Sequence, residues 1–246
     1  MNESISSDGL RLSAHLARPP SASRLVGGVV LCHGFPSGPR GAASSAATYP
    51  ELADRIARDA GWVALAFNFR GTGASEGDFS VGGWLADLGS AVGTLAGEGV
   101  SGVWVIGVAE GGTLAIRAAA ADERIRGVAV LGAPVALERR RAGVSLVEYA
   151  RRAGMIRSSG FPADVAAWES EAAAIDAVAA ARRLAPRPLL VVHGTDDEVS
   201  ASAARAICDA AGPTAELRLV HAAGRRLRHD PRAMALLLGW LGRQQP

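Results

Sequence analysis

The sequence predicts a single α/β domain with a mostly parallel sheet, and three observations carry that prediction. Short apolar runs alternate with longer helical patterns along most of the 246 residues. A tight, glycine-framed turn at Gly107–Gly112 joins an apolar run to a helical one. One alanine-rich stretch, Pro134 to Pro186, has helical periodicity and no strand pattern, as expected of a small helical cap over roughly 135–185. With no repeats and no low-complexity linker, residues 1–246 read as one domain carrying that insertion.

The elements follow in order. Ser4 to Leu16 reads as an antiparallel hairpin, turned at Ser7-Asp8-Gly9 and alternating through Leu10, Leu12 and Ala14. Gly28–Cys32 is a continuous apolar strand that enters a glycine- and proline-rich loop, His33 to Gly41. Pro50–Ala60 is a helix with proline at its start and Gly61 after its end. Trp62–Phe67 is a strand and Gly82–Leu95 a helix. Val103–Val108 is a strand that turns at Ala109–Gly112 into the helix Thr113–Ala121, before the strand Gly127–Leu131. After the insertion come the strand Leu189–Val192, the helix Ala203–Ala211, the strand Ala215–Val220 and the helix Pro231–Leu241.

Composition excludes several classes. A formal charge of +2 is too small to imply a nucleic-acid partner. All 26 basic residues are arginine; with abundant alanine and glycine, this reads as codon bias in a GC-rich genome rather than phosphate binding. Cys32 and Cys208 stand far apart without metal-ligand or redox spacing, which fits a reducing compartment. The N-terminus lacks the pattern of a secretory signal, and no apolar run approaches the ~20 residues of a membrane span. A cytoplasmic, soluble protein is expected, with no metal and no nucleotide cofactor. The glycines at 71, 73 and 77 follow a strand but lead into Ser75-Glu76-Gly77 rather than a helix.

Gly107-Val108-Ala109-Glu110-Gly111-Gly112 has the frame of a nucleophile elbow, Gly-x-Ser-x-Gly, with alanine at the apex. A generic strand-to-helix turn would also use these glycines, so three further segments matter. Cys32-His33-Gly34-Phe35-Pro36 follows one buried strand, Asn68-Phe69-Arg70-Gly71-Thr72-Gly73 through Gly77 follows the next, and His193-Gly194-Thr195-Asp196-Asp197 follows a late one. In this order the segments resemble the α/β-hydrolase superfamily, in particular its bacterial esterase- and lipase-like members. The resemblance spans about Ser4 to Leu241. It implies an eight-stranded sheet with helices on both faces, a cap after the sixth strand, and an active site at the strand carboxyl ends. It places the nucleophile at Ala109, the acid at Asp197, the oxyanion-hole amides at Phe35 and Glu110, and the histidine at Arg225, where related sequences read Ala-Gly-His.

Two indispensable groups are therefore replaced. A methyl cannot attack a carbonyl, and a guanidinium stays protonated and cannot collect a proton. Loss of either group costs about 10⁶ in turnover in a serine protease, on the order of 8 kcal/mol. Other residues offer little substitute. Glu110, one past the apex, is expected to point away and offer only its amide. His33 and His193 are expected to brace their loops, although His33 belongs to the pocket region. His221, at the end of the last strand, reaches the pocket mouth in the less favoured reading, and His229 reads as a surface or capping residue. Cys32 reads as an inert hydrophobe. Arg70 and Glu76 read as structural ties, and the arginines of the cap (139–141, Arg151, Arg152) as a solvated face.

Asp197, three residues after Gly194, is preferred to Asp196 as the acid, and an Asp197–Arg225 ion pair is expected. The favoured reading is a degenerate hydrolase that binds a small molecule under the cap in a regulatory or accessory role. The alternatives are an ester or acyl hydrolase whose nucleophile has been lost or replaced, and an enzyme performing non-hydrolytic chemistry in the same pocket.

Overall fold

The computed structural model describes residues 3–20, 26–36, 40–137 and 144–244. Its centre is one eight-stranded sheet: β1 (Glu3–Ser7), β2 (Leu10–Ala17), β3 (Gly28–Cys32), β4 (Val63–Phe67), β5 (Val103–Val108), β6 (Ile125–Leu131), β7 (Leu189–Gly194) and β8 (Ala215–Val220). The spatial order is β1-β2-β4-β3-β5-β6-β7-β8, antiparallel at β1–β2 and β2–β4 and parallel elsewhere. The hairpin turns where expected. Asp8 and Gly9 both take positive φ (50° and 78°), the two-residue geometry whose twist matches the flanking strands.

Alternation in the buried strands divides the core in two. In β3, Val30 and Cys32 face one apolar layer while Val29 and Leu31 face the other. The first layer holds α2 (Val81–Ala96), α3 (Glu110–Ala119) and α7 (Ala201–Ala211), through side chains such as Leu88, Leu114 and Ile207. The second holds α1 (Tyr49–Ala60) and α8 (Pro231–Arg243), through Ile56, Met234, Leu237 and Trp240. Burial on both faces explains why β3 to β7 read as continuous apolar runs rather than alternating ones. Among the described residues no helix is long and apolar enough to cross a membrane.

Between β6 and β7 lie three short helices, α4 (Leu146–Arg152), α5 (Val165–Ala173) and α6 (Ala177–Ala181). The insertion is less uniform than its composition suggests. Helix α6 packs on α3 and α7 and belongs to the layer flanking the sheet, whereas α4 and α5 pack on each other and reach the loops after β3 and β4. Tyr149 donates its hydroxyl to the Pro36 carbonyl, Ala42 N donates to Ala153 O at 2.6 Å, and Trp168 Nε1 donates to Phe79 O at 3.1 Å. Arginines 139–141 lie outside the described residues, and Arg151 and Arg152 are exposed as expected.

The Asn68–Gly77 segment is tied down as predicted. Arg70 sends Nε and Nη2 to Asp87 Oδ1 at 3.0 and 2.7 Å, and its own amide bonds Asp87 Oδ2 at 2.8 Å. Asp87, on α2, is completely buried, so these charge-assisted bonds lock the loop after β4 onto the helix that covers it. Glu76 Oε2 accepts from the Arg11 amide at 2.8 Å and holds the far end of the segment to β2.

Candidate functional site

Helix α3 starts at Glu110, directly after Ala109, rather than at Thr113 as the periodicity suggests. The turn is that sharp because Ala109 takes φ 51° and ψ −127°, a left-handed conformation that costs a non-glycine residue about 1–3 kcal/mol. The flanking glycines are forced by contact: a Cβ on Gly107 would lie 2.4 Å from Gly112 Cα, and one on Gly111 2.4 Å from His33 O. The strained elbow is thus fully built, and its apex carries a methyl. Ala109→Gly relieves the strain, and we expect a gain of about 1 kcal/mol, a rise of about 2–4 °C in Tm by calorimetry. An unchanged or lower Tm would show that the surrounding glycines already absorb the strain.

Glu110 departs from expectation. Its side chain does not point away; it is buried, 4% exposed, and lies against the loop after β3. Glu110 Oε2 accepts a hydrogen bond from the Phe35 amide at 3.0 Å, so one of the two amides expected to bind an oxyanion is bonded to the protein's own carboxylate. A Cβ on Gly34 would meet Glu110 Oε2 at 2.8 Å and the Ala109 methyl at 2.9 Å, which places apex, loop and carboxylate at one point. Position favours the charge: Glu110 opens α3, where the helix dipole stabilises a carboxylate.

Arg225 supplies the nearby cation, with Nη2 at 3.5 Å from Glu110 Oε1 and Nη1 at 3.6 Å from Glu198 Oε2. The expected Asp197–Arg225 pair is not formed. Asp197 turns back on its own loop, where Oδ1 accepts from Val199 N at 3.0 Å, and Oδ2 lies beside Gly132 at the end of β6. The Glu110 carboxylate is buried and is the stronger attractor because it has lost water, whereas Asp197 is only half-buried. Asp196 is exposed and bonded to its neighbour Thr195.

His33 is 2% exposed and braced on both nitrogens. Its Nε2 accepts from Phe69 N at 3.3 Å, which leaves the proton on Nδ1, 2.8 Å from Gly34 O. Burial, ahead of the charge of Arg228, holds its pKa down to about 4, so the ring is neutral at physiological pH. His193 Nε2 lies 2.8 Å from Val199 O and holds the loop that carries Asp197. Burial pushes the Cys32 thiol well above its ordinary value, in keeping with an inert hydrophobe.

A cavity of about 480 Å³ opens above Ala109. Its lining comes from the loops after β3, β5, β7 and β8, the carboxyl ends of the parallel strands, where open α/β sheets bind ligands. Ala109, Phe35 and Arg225 line it, as does His33. His221 does not. It is exposed just after the edge strand β8 and faces a separate depression with Arg232 and Leu236, because Ala222, at φ 54°, turns the following segment back over the sheet. That segment brings Arg226, Arg228 and His229 to the cavity, so His229 and not His221 is the histidine at its mouth. Capping of α8 falls to Asp230, whose side chain accepts from Arg232 N.

The sequence also gave no hint of Ser44, Ser45 and Tyr49 as lining residues; Tyr49 meets Arg228 from 179 positions away. The one available signal was the cluster Arg225-Arg226-Leu227-Arg228-His229 in the segment that should hold the histidine. No described residue of the 144–186 insertion lines the cavity, so α4 acts as a brace on the loop rather than as its roof. Among the described residues no three His, Cys, Asp or Glu side chains converge as a metal site.

Solved structures share this architecture over the whole chain. The α/β hydrolase GrgF from Penicillium sp. sh18 superposes with a TM-score of 0.74 at 16% identity, covering 99% of this chain and 98% of that one. The meta-cleavage product hydrolase CumD from Pseudomonas fluorescens IP01, solved as a serine-to-alanine mutant, gives 0.71 at 17% identity, covering 99% and 98%. An esterase of Pyrococcus furiosus gives 0.70 at 19% identity, covering 100% and 91%.

This chain has the α/β-hydrolase fold.

No family model matches the sequence, and neither does any curated protein. Identities below 20% carry the α/β-hydrolase fold and nothing about substrate.

Proposed function

We propose that this protein is a catalytically degenerate member of the α/β-hydrolase superfamily that binds a small molecule above Ala109 without hydrolysing it, in a regulatory or accessory role. The observation that carries the reading is the Glu110 carboxylate on the Phe35 amide, 3.0 Å away, beside an apex without an oxygen. A tetrahedral oxyanion needs that amide free, and a fixed carboxylate in its place repels developing negative charge. With the nucleophile, base and one oxyanion donor all unsuited to acyl transfer, the loss of function is threefold and concerted.

A second reading, a hydrolase whose nucleophile has been replaced, is favoured by one feature: the strained backbone at Ala109 persists with no nucleophile to present. Treatment of the purified protein with a fluorophosphonate probe separates the two. We expect no covalent labelling and no turnover of p-nitrophenyl acetate above the buffer rate. Stoichiometric labelling at any serine would overturn the proposal.

A further inference from the structure

Many arginines of this protein are tied to carboxylates. Arg70 is held by Asp87, Arg124 by Asp122, Arg232 by Asp230 and Arg243 by Glu216. Of the three that line the cavity, Arg226 and Arg228 are not satisfied in this way among the described residues. Arg226 is exposed there, and its side chain makes no hydrogen bond and no ion pair among the described residues. Arg228 has only neutral partners, the Thr48 hydroxyl and the Tyr49 ring, whose centroid lies 5.1 Å from its guanidinium carbon. Those two contacts hold the Arg228 side chain against the wall while leaving its charge uncompensated. Arg225 is shared between Glu110 and Glu198 at distances beyond hydrogen-bond length.

Among the described residues, two of the three guanidinium groups at the cavity, those of Arg226 and Arg228, therefore have no carboxylate partner. The pKa of His229 is lowered by partial burial first, then by Arg228 and Arg226, against an opposing effect of Glu51. The lining also includes the apolar side chains of Phe35, Pro36, Ala46 and Val108, the Tyr49 ring and the Ala109 methyl, beside the polar His33, Ser44 and Ser45.

We infer that the cavity binds a small amphipathic monocarboxylate, its head held by Arg226 and Arg228 at the mouth and its apolar body lying over Phe35 and Val108 towards Ala109. A carboxylate supplies the counter-charge that Arg226 and Arg228 lack, and the planar guanidinium fork suits it. The volume falls in the range of small-molecule sites, ~300–1,000 Å³. The buried Glu110 carboxylate dictates the orientation: a carboxylate head would be repelled from the floor and attracted to the mouth. This inference rests on the reading of the protein as a small-molecule binder.

Isothermal titration with hexanoate, methyl hexanoate and hexyl phosphate tests it on the whole chain. We expect hexanoate to bind about tenfold or more tighter than the uncharged methyl ester. Arg226→Gln/Arg228→Gln should cost hexanoate a further loss of about tenfold or more and leave the ester unchanged. Arg226→Gln alone breaks no hydrogen bond or ion pair among the described residues, so its loss of affinity at unchanged Tm excludes misfolding. Equal affinity for acid and ester, no binding of hexanoate, or indifference to both substitutions would overturn the inference. So would tighter binding of hexyl phosphate, because a dianion would then be the better match. Hydrolysis of methyl hexanoate during titration would overturn the binding-only reading while leaving the preference for a carboxylate head intact.

Discussion

Restoring the two missing residues alone is expected to give a poor esterase. In Ala109→Ser/Arg225→His the new serine stands on an elbow already at the required geometry, yet the Phe35 amide remains bonded to Glu110. The substitution at Arg225 also removes the cation nearest a buried carboxylate, 3.5 Å away, which destabilises the floor of the site. Adding Glu110→Ala frees the Phe35 amide and removes the negative charge from the oxyanion position. We expect the triple variant to exceed the double in kcat/KM for p-nitrophenyl acetate by about 10²–10³, the cost of one oxyanion-hole donor. Parity between the two would show that Glu110 does not occupy the reacting centre. A fluorescent fluorophosphonate probe provides the parallel readout, since labelling of Ser at position 109 requires the same hole.

The largest loss of stability should come from Arg70→Met. Asp87 is completely buried and Arg70 nearly so, at 12% exposure, and their two side-chain bonds are supplemented by one from the Arg70 amide. Removing one partner of such a pair leaves an uncompensated charge, at a cost of about 3–5 kcal/mol. Urea denaturation should show that loss, with Arg70→Lys intermediate because an ammonium cannot make the forked contact. Arg70→Met/Asp87→Leu should recover part of it, but not all, since the Arg70 amide then lacks its acceptor. A loss below about 1 kcal/mol in the single variant would place this pair with ordinary surface ion pairs, which contribute little.

Most of the fold was legible because its signals are local or periodic. The apolar run Val103–Val108 is buried on both faces, the Gly107 and Gly111 contacts admit no side chain, and Asp8-Gly9 can only turn. The site was legible at its positions more than in its interactions. Ala109, Phe35 and Arg225 do border one cavity, but the partner of Arg225 differs from the one expected, and so does the direction of the Glu110 side chain. Sequence spacing fixes which loop a residue occupies, not which way a long side chain turns once it competes for a buried charge.

What the chain determined by itself is therefore the sheet, the strained turn at its centre and the absence of an oxygen there, since each follows from residue type over a few neighbouring positions. Folding decided the electrostatics of the cavity. Glu110 meets Phe35 across 75 positions and Thr48 meets Arg228 across 180. Composition had suggested that the arginines carry no meaning; only the tertiary arrangement shows which of them lack a carboxylate. The physical reason is that charge compensation depends on distance in space and on exclusion of water, and neither is encoded in distance along the chain.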